Sequence, residues 1–287
     1  MKLSVIIISF QSNHLLIKIL KKLPKKYQII IVENSTLQST KKLEKKFKNT
    51  KVIIPEYNLG YAKAFNLAMG ECKNNFVLTL TPDVLIEKNM ILKLEKFLVR
   101  FKNFSLLAPE YKNQKIYKNF IPLKADSEDN LKINKYAMLK AKEIDWCFCV
   151  INKKKLKNLI ILDENFFMYF ETMDLCKVLI RLKHKMYIIK DLKFNHTGTS
   201  SSNKKYKKEI LINRNWHFSW SKFYYFKKHY NYFLALIYLL PLIVRCFFKK
   251  FYYSANKKSY NFQKYNVRSD AILASIKNRK SYAREES

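Results

Sequence analysis

Four apolar runs rich in β-branched residues, at positions 3–9, 27–32, 51–54 and 76–80, alternate with segments of helical spacing. No other feature restricts the fold as strongly. A strand that is apolar throughout, rather than at every second position, must be covered on both faces. Such strands, separated by helices, call for a parallel sheet with helices on each side. The intervening helices are predicted at 13–22, where Leu15, Leu16, Ile19 and Leu20 keep the spacing, at 37–47 and at 60–72. Further on, the pattern predicts a helix near 89–101, strands at 104–108 and 145–151, a helix at 167–182 and a short strand at 185–189. Residues 112–140 read as polar and irregular. From residue 203 the chain reads as basic, aromatic helices, so the expected domains are 1–202 and a helical C-terminal region, 203–287.

Ligands of open parallel sheets sit beyond the carboxyl ends of the strands. The polar residues just past those ends are Ser9, then Glu33, Asn34 and Ser35, then Tyr57 and Asn58, then Asp83. They are expected to line one crevice.

Composition bounds the partners. Apolar residues are 48% of the chain, enough for a sizeable core, and three glycines and six prolines leave little for linkers. The net charge of +34 must be solvated or face anions such as nucleic acid, anionic lipid or phosphorylated substrates. Lysine far outnumbers arginine, and Asn, Ile, Phe and Tyr are abundant, a bias that codon usage alone also produces. Cys72, Cys147, Cys149, Cys176 and Cys246 show no metal-type spacing and read as reduced, mostly buried thiols of a cytoplasmic protein. The apolar N-terminus ends in Ser9, Gln11 and Ser12 and reads as a first strand rather than a signal peptide. The apolar stretch at 232–244 is interrupted by Pro241 and followed by Arg245, short of the roughly 20 residues that span a bilayer. It fits either an interfacial helix on an anionic membrane or a helix packed on the domain.

Asp83 follows a buried run in the order Thr81-Pro82-Asp83-Val84. A carboxylate there is costly to bury unless a metal, a cation or a proton compensates it. A Mg²⁺ or Mn²⁺ ion held by Asp83 could bridge two phosphates of a nucleotide. His196, next to Thr197 and Gly198 in an expected loop, is a candidate second ligand, and an imidazole tilts the choice toward Mn²⁺. Taken singly, Asp83 also fits a cap or turn, and His196 a loop histidine bonded to backbone. Glu171 and Asp174 stand at i and i+3, on one face of a helix, after the apolar run Phe166 to Phe170. One could take a proton from an attacking hydroxyl while the other orients it; two acids on a surface helix is the plainer alternative. Trp216, Trp220, Phe223 and Tyr224 beside Lys227 and Lys228 could stack on nucleic acid. No nucleic-acid motif accompanies them, and the same mixture marks a membrane interface, so nucleic acid is not an expected partner.

In these residues the chain resembles the family 2 glycosyltransferases of GT-A fold, in particular their rhamnosyltransferase-like branch. The likeness rests on six segments in order: Ser4 to Phe10, Ile31 to Ser35, Asn58 to Asn66, Thr81-Pro82-Asp83, Phe167 to Cys176, and His196 to Ser200. The resemblance implies a mostly parallel α/β sheet flanked by helices, with the basic aromatic helices as a C-terminal extension. It implies inverting transfer of a sugar from a dTDP- or UDP-sugar, including dTDP-rhamnose, to a glycolipid or polysaccharide hydroxyl, at the inner face of a bacterial cell membrane. Ser9, Glu33 and Asn34 would contact the base and ribose, and Asn58, Gly60 and Lys63 the donor phosphates or sugar. Asp83 and His196 would hold the divalent metal. Glu171 and Asp174 would supply the base and orient the acceptor, with Trp146 near it. Two positions depart from the family pattern. Thr81 stands where an Asp or Asn is frequent, and Thr172 where many members carry a second acid.

Overall fold

The computed structural model describes residues 2–113, 118–123, 131–133, 136–156, 161–196 and 207–281. The first elements are β1 (Ser4–Ser9), α1 (Asn13–Leu20), β2 (Gln28–Glu33), α2 (Lys42–Lys46), β3 (Thr50–Ile53), α3 (Gly60–Gly70) and β4 (Phe76–Leu80). There follow β5 (Val84–Leu85), α4 (Lys88–Arg100), β6 (Leu106–Tyr111), β7 (Phe120–Pro122), β8 (Leu131–Ile133), β9 (Tyr136–Ile144) and β10 (Phe148–Asn152). The remainder is α5 (Glu171–Arg181), β11 (Met186–His196), α6 (Lys207–His229), α7 (Tyr232–Tyr252) and α8 (Tyr260–Ile276).

The strands form one sheet in the order β3-β2-β1-β4-β10-β6-β11-β9-β7, with β5 on β11 and β8 on β9. β3, β2, β1 and β4 are parallel neighbours, as their unbroken apolar runs require. β10 then enters antiparallel between β4 and β6, and β11 returns parallel to β6. Helices cover the sheet with regular apolar stripes. α4 buries Met90, Ile91, Leu94, Phe97 and Leu98, each worth about 2 kcal/mol relative to exposure. Val5, Ile7, Ile29, Ile31, Leu78, Leu80 and Phe148 form the middle of the core.

Contacts divide the chain into two units. One comprises Met1–Leu59, Lys63–Leu162 and Thr172–Ser202; the other comprises Gly60–Ala62, Asp163–Glu171 and Asn203–Ser287. The second is built on α6, α7 and α8 around Phe223, Ala235, Leu239 and Ile272.

Five expectations change. The helix expected over 37–47 is a 3-10 turn, Gln38–Lys41, followed by the short α2, because Thr40 turns inward to donate to Asn13 Oδ1 at 2.7 Å. The stretch read as irregular, 112–140, contains β7, β8 and the start of β9, with β7 and β8 each antiparallel to β9. The helix expected from 167 begins at Glu171, because Tyr169 and Phe170 have φ of 70° and 67° and cannot join a right-handed helix. The strand expected over 185–189 continues to His196, through a register shift between Ile189 and Lys193. Finally, α7 runs 21 residues through Pro241 without interruption, long and apolar enough to cross a membrane by length and composition. The five cysteines are buried and free, as expected.

Candidate active site

The sheet order explains why residues far apart in sequence meet at one edge. β1, β2 and β4 are parallel neighbours, so Ser9, Glu33 and the turn holding Asp83 all fall at their carboxyl ends. β10 runs the other way, with Phe148 opposite Leu80, so the turn before it, with Trp146 and Cys147, starts at the same edge. The Thr81 N–H donates to the Cys147 carbonyl at 3.0 Å and ties the two turns together.

Ser9 and Glu33 are register partners, and both are buried. Glu33 Oε1 accepts from the backbone N–H groups of Gln11 (3.0 Å) and Ser35 (3.1 Å) and from the Ser35 hydroxyl (2.5 Å). Its Oε2 is buried with no hydrogen-bond partner among the described residues, as are Ser9 Oγ and Trp146 Nε1. Buried polar atoms are nearly always satisfied. Three such atoms beside one sheet edge fit a site that a polar ligand completes. Asn34 is buried next to them and donates its N–H to the Ser9 carbonyl at 2.8 Å. Trp146 is packed edge-on against Phe65 at 5.1 Å, and its carbonyl accepts from Thr79 Oγ1.

His196 reaches Asp83 through strand register. β5 and β11 pair antiparallel with His196 opposite Val84, which sets the imidazole beside the preceding residue. Its Nε2 lies 3.0 Å from Asp83 Oδ1. The histidine expected in a loop is therefore fixed at the end of a strand; Thr197 to Ser200 lie outside the described residues. Burial alone would lift the Asp83 carboxyl, but the His196 hydrogen bond and charge outweigh it and hold the group below its ordinary range. Burial alone would pull the imidazole down, but the hydrogen bond and charge of Asp83, with the charge of Asp145 added, hold it above its ordinary value. Asp145 does not stand out in the sequence, because it reads as the first residue of a strand. It caps the turn before β10, accepting from the Cys147 N–H at 2.8 Å, and its charge acts on His196. The Cys147 thiol beside it is pushed well up, by burial first and then by Asp145, and stays protonated.

Asp83 and His196 fit part of a divalent-ion site. Two ligand atoms each about 2.1 Å from an octahedral ion lie about 3.0 Å apart when they bind at right angles. Among the described residues no cluster of three His, Cys, Asp or Glu side chains forms a complete cage. Such a pair holds an ion only with further ligands, for which donor phosphates are suited.

The other expected residues divide between the units. Asn58 lies in the loop after β3, and Lys63 is exposed on α3, with its ammonium 3.2 Å from the Tyr57 hydroxyl. Asp174 is buried in the first turn of α5. In the second unit, Gly60 has φ +74°, and a Cβ there would lie 2.3 Å from the Phe167 carbonyl oxygen. That oxygen accepts the Tyr61 N–H at 2.6 Å. Gly60 thus sets the position of the loop that ends in Glu171. α6 holds the same loop at several points. Ser221 Oγ donates to the Met168 carbonyl at 2.8 Å, Arg214 Nε to the Tyr169 hydroxyl at 2.6 Å, and Lys228 to Asp163 at 2.7 Å. The Phe167 ring stacks on His217 with centroids 4.4 Å apart. These contacts sustain two consecutive aromatic residues in left-handed backbone, a strain typical of functional loops. Nothing in the sequence signals this strain, since Phe, Met and Tyr fit a helix face equally well.

The family model of glycosyl transferase family 2 matches residues 4–160, more than half of the chain. The chain belongs to glycosyl transferase family 2. This membership makes it a glycosyltransferase. Among curated proteins none matches the sequence significantly. Solved structures share the fold at low identity. The mannosyltransferase PcManGT from Pyrobaculum calidifontis, in complex with GDP-Man and Mn²⁺, superposes with a TM-score of 0.56 at 11% identity, over 97% of this chain and 88% of that one. Residues 1–349 of S. aureus TarS give 0.53 at 16% identity, over 97% and 92%. GalNAc-T7 with UDP, GalNAc and Mn²⁺ gives 0.55 at 12% identity, over 82% of this chain and 56% of that one. In this family 2 member the strand-end residues occupy one edge of a fold shared with these solved structures.

Proposed function

We propose that this family 2 member is an inverting glycosyltransferase that moves a sugar from a dTDP- or UDP-linked donor to a hydroxyl of a glycolipid or polysaccharide. The observation that carries the reading is the edge shared by Ser9, Glu33, Asp83 and Trp146, with buried polar atoms left for a ligand to satisfy. The solved relatives that carry GDP-Man or UDP with Mn²⁺ support a nucleotide donor and a divalent metal. A rhamnosyl donor is the finer form of the proposal.

In this mechanism Glu33 Oε2 and Ser9 Oγ bind donor hydroxyls or base edges, and Asn34 lies beside them. Lys63, exposed near the start of α3, screens phosphate charge. Asp83 and His196 would hold a divalent ion, which would supply positive charge to the diphosphate. One carboxylate of the Glu171 and Asp174 pair takes the acceptor hydroxyl proton, and the other orients the hydroxyl. The acceptor oxygen bonds to the anomeric carbon as its bond to the phosphate oxygen breaks, so configuration inverts and a nucleoside diphosphate leaves. The loop before Glu171 is bonded to α6 through Ser221, Arg214 and Lys228, which restricts where its backbone can sit.

Thermal denaturation with a panel of nucleotide sugars, with and without Mn²⁺, tests the reading, because a ligand of the folded state raises Tm. A donor-specific rise that needs Mn²⁺ supports it; no rise for any donor removes it. A second reading, a catalytically weak or inactive relative that binds the nucleotide sugar or a partner enzyme, is favoured by Thr81 and Thr172. If Thr172→Asp raises turnover by orders of magnitude, the native chain is of that kind.

A further inference from the structure

In α7, Phe233, Ile237, Leu240, Val244, Phe247 and Phe251 succeed one another at alternating spacings of four and three, and so line one face. They are between 42% and 77% exposed. The opposite face carries Ala235, Leu239 and Cys246, which are buried. Ala235 and Leu239 pack with Phe223 of α6 and Ile272 of α8. A core helix would hide its apolar stripe, whereas this one turns it outward, with Phe248 and Tyr252 extending it at one end. A patch of that extent on a soluble domain marks an interaction surface.

Charge selects the partner. The helix has no acidic residue, and residues 207–281 contain sixteen Lys and Arg against two acids, Glu209 and Asp270. At 100° per residue, Arg245 falls on one side of the stripe and Lys250 on the other, while Lys249 lies about 160° from the centre of the stripe, over the Tyr252 and Tyr253 rings. A second copy meeting this face would bring like charges together, whereas an anionic headgroup layer would pair with them while the rings enter its edge. Spanning is disfavoured, because α7 packs on α6 and α8 and would carry Lys264, Arg268 and Asp270 of α8 into hydrocarbon.

We propose that the Phe233–Phe251 stripe is a lipid-docking face that lies in the plane of an anionic bilayer surface, with Arg245 and Lys250 reaching the headgroups from its two sides. The proposal does not depend on the donor chemistry. Its test is co-sedimentation of the full chain with phosphatidylcholine vesicles, with and without about one-third phosphatidylglycerol. The wild-type chain is expected to bind the anionic vesicles selectively. Phe247→Glu/Phe251→Glu should lose at least about tenfold in affinity with unchanged circular dichroism, since both side chains are exposed. Arg245→Gln/Lys250→Gln should weaken the preference for anionic lipid. The proposal is overturned if the wild-type chain ignores vesicles, if the glutamate variant binds as well as wild type, or if the chain resists extraction like an integral protein. A dimer in solution that the glutamate variant dissolves would assign the face to a second copy and overturn it equally.

Discussion

Replacing Gly60 by alanine tests the loop that ends in Glu171. A Cβ at φ +74° costs about 1–2 kcal/mol in backbone strain alone. The same Cβ would sit 2.3 Å from the Phe167 carbonyl oxygen, so the loop must retreat by at least about 0.7 Å to reach the shortest contact real Cβ atoms make. Retreat stretches the 2.6 Å bond from Tyr61 N–H, worth about 1 kcal/mol. Together the loss is about 2–3 kcal/mol, a large share of a typical domain's stability. The displaced carbonyl is four residues from Glu171, so kcat should fall further than donor affinity. Urea denaturation followed by circular dichroism reads the first quantity, and steady-state transfer the second. Gly70→Ala is the control, since nothing lies within 4 Å of a Cβ there and the change should be neutral or stabilising. A Gly60→Ala chain within about 0.5 kcal/mol of wild type, with unaltered kcat, would refute the reasoning.

Three further outcomes follow from the site. Asp83→Asn should abolish the thermal shift produced by Mn²⁺ and lower the metal-free Tm, since it removes the charge paired with His196; an undiminished shift would mean the ion binds elsewhere. The Mn²⁺ shift should also weaken with acidity. Metal binding needs a neutral imidazole, and Asp83 raises the His196 pKa, so the shift is full above that raised value and fades as pH drops through it, in a window beginning above the ordinary 6.5; a flat profile from pH 8 to 5 would count against His196 as a ligand. Of Glu171→Gln and Asp174→Asn, the variant that removes the base should lose about 10²- to 10⁴-fold in kcat, while the other mainly raises the acceptor KM; two variants with full kcat would exclude the pair from proton transfer.

The residues legible in the sequence are those whose burial is written in unbroken apolar runs. β1, β2 and β4 are packed on both faces, and Val5, Ile30 and Val77 are all fully buried, so their ends and the polar residues beyond them are predictable. β11 reads as shorter than it is because Lys190, Asp191 and Lys193 past its apolar half suggest a loop; only pairing with β5 and β6 shows that the strand continues to His196. β7 to β9 are hidden because their apolar runs are short and part of them is exposed, as at Ile121 and Leu123. The start of α5 is misplaced by periodicity, which records which side chains are apolar, not that Tyr169 and Phe170 are held at positive φ by α6 and by Gly60. Asp145 escapes notice for a related reason: its role comes from its charge beside His196, a neighbour remote in sequence.

Release of a nucleoside diphosphate tests the central claim most directly. The folded chain is incubated with UDP-, dTDP- and GDP-sugars, Mn²⁺ and a glycolipid acceptor fraction, and the product nucleotide is quantified. Release is expected from at least one donor, dependent on Asp83 and lost in the Glu171→Gln/Asp174→Asn double variant. No release from any donor by folded wild-type chain, or release that survives both sets of substitutions, would contradict it.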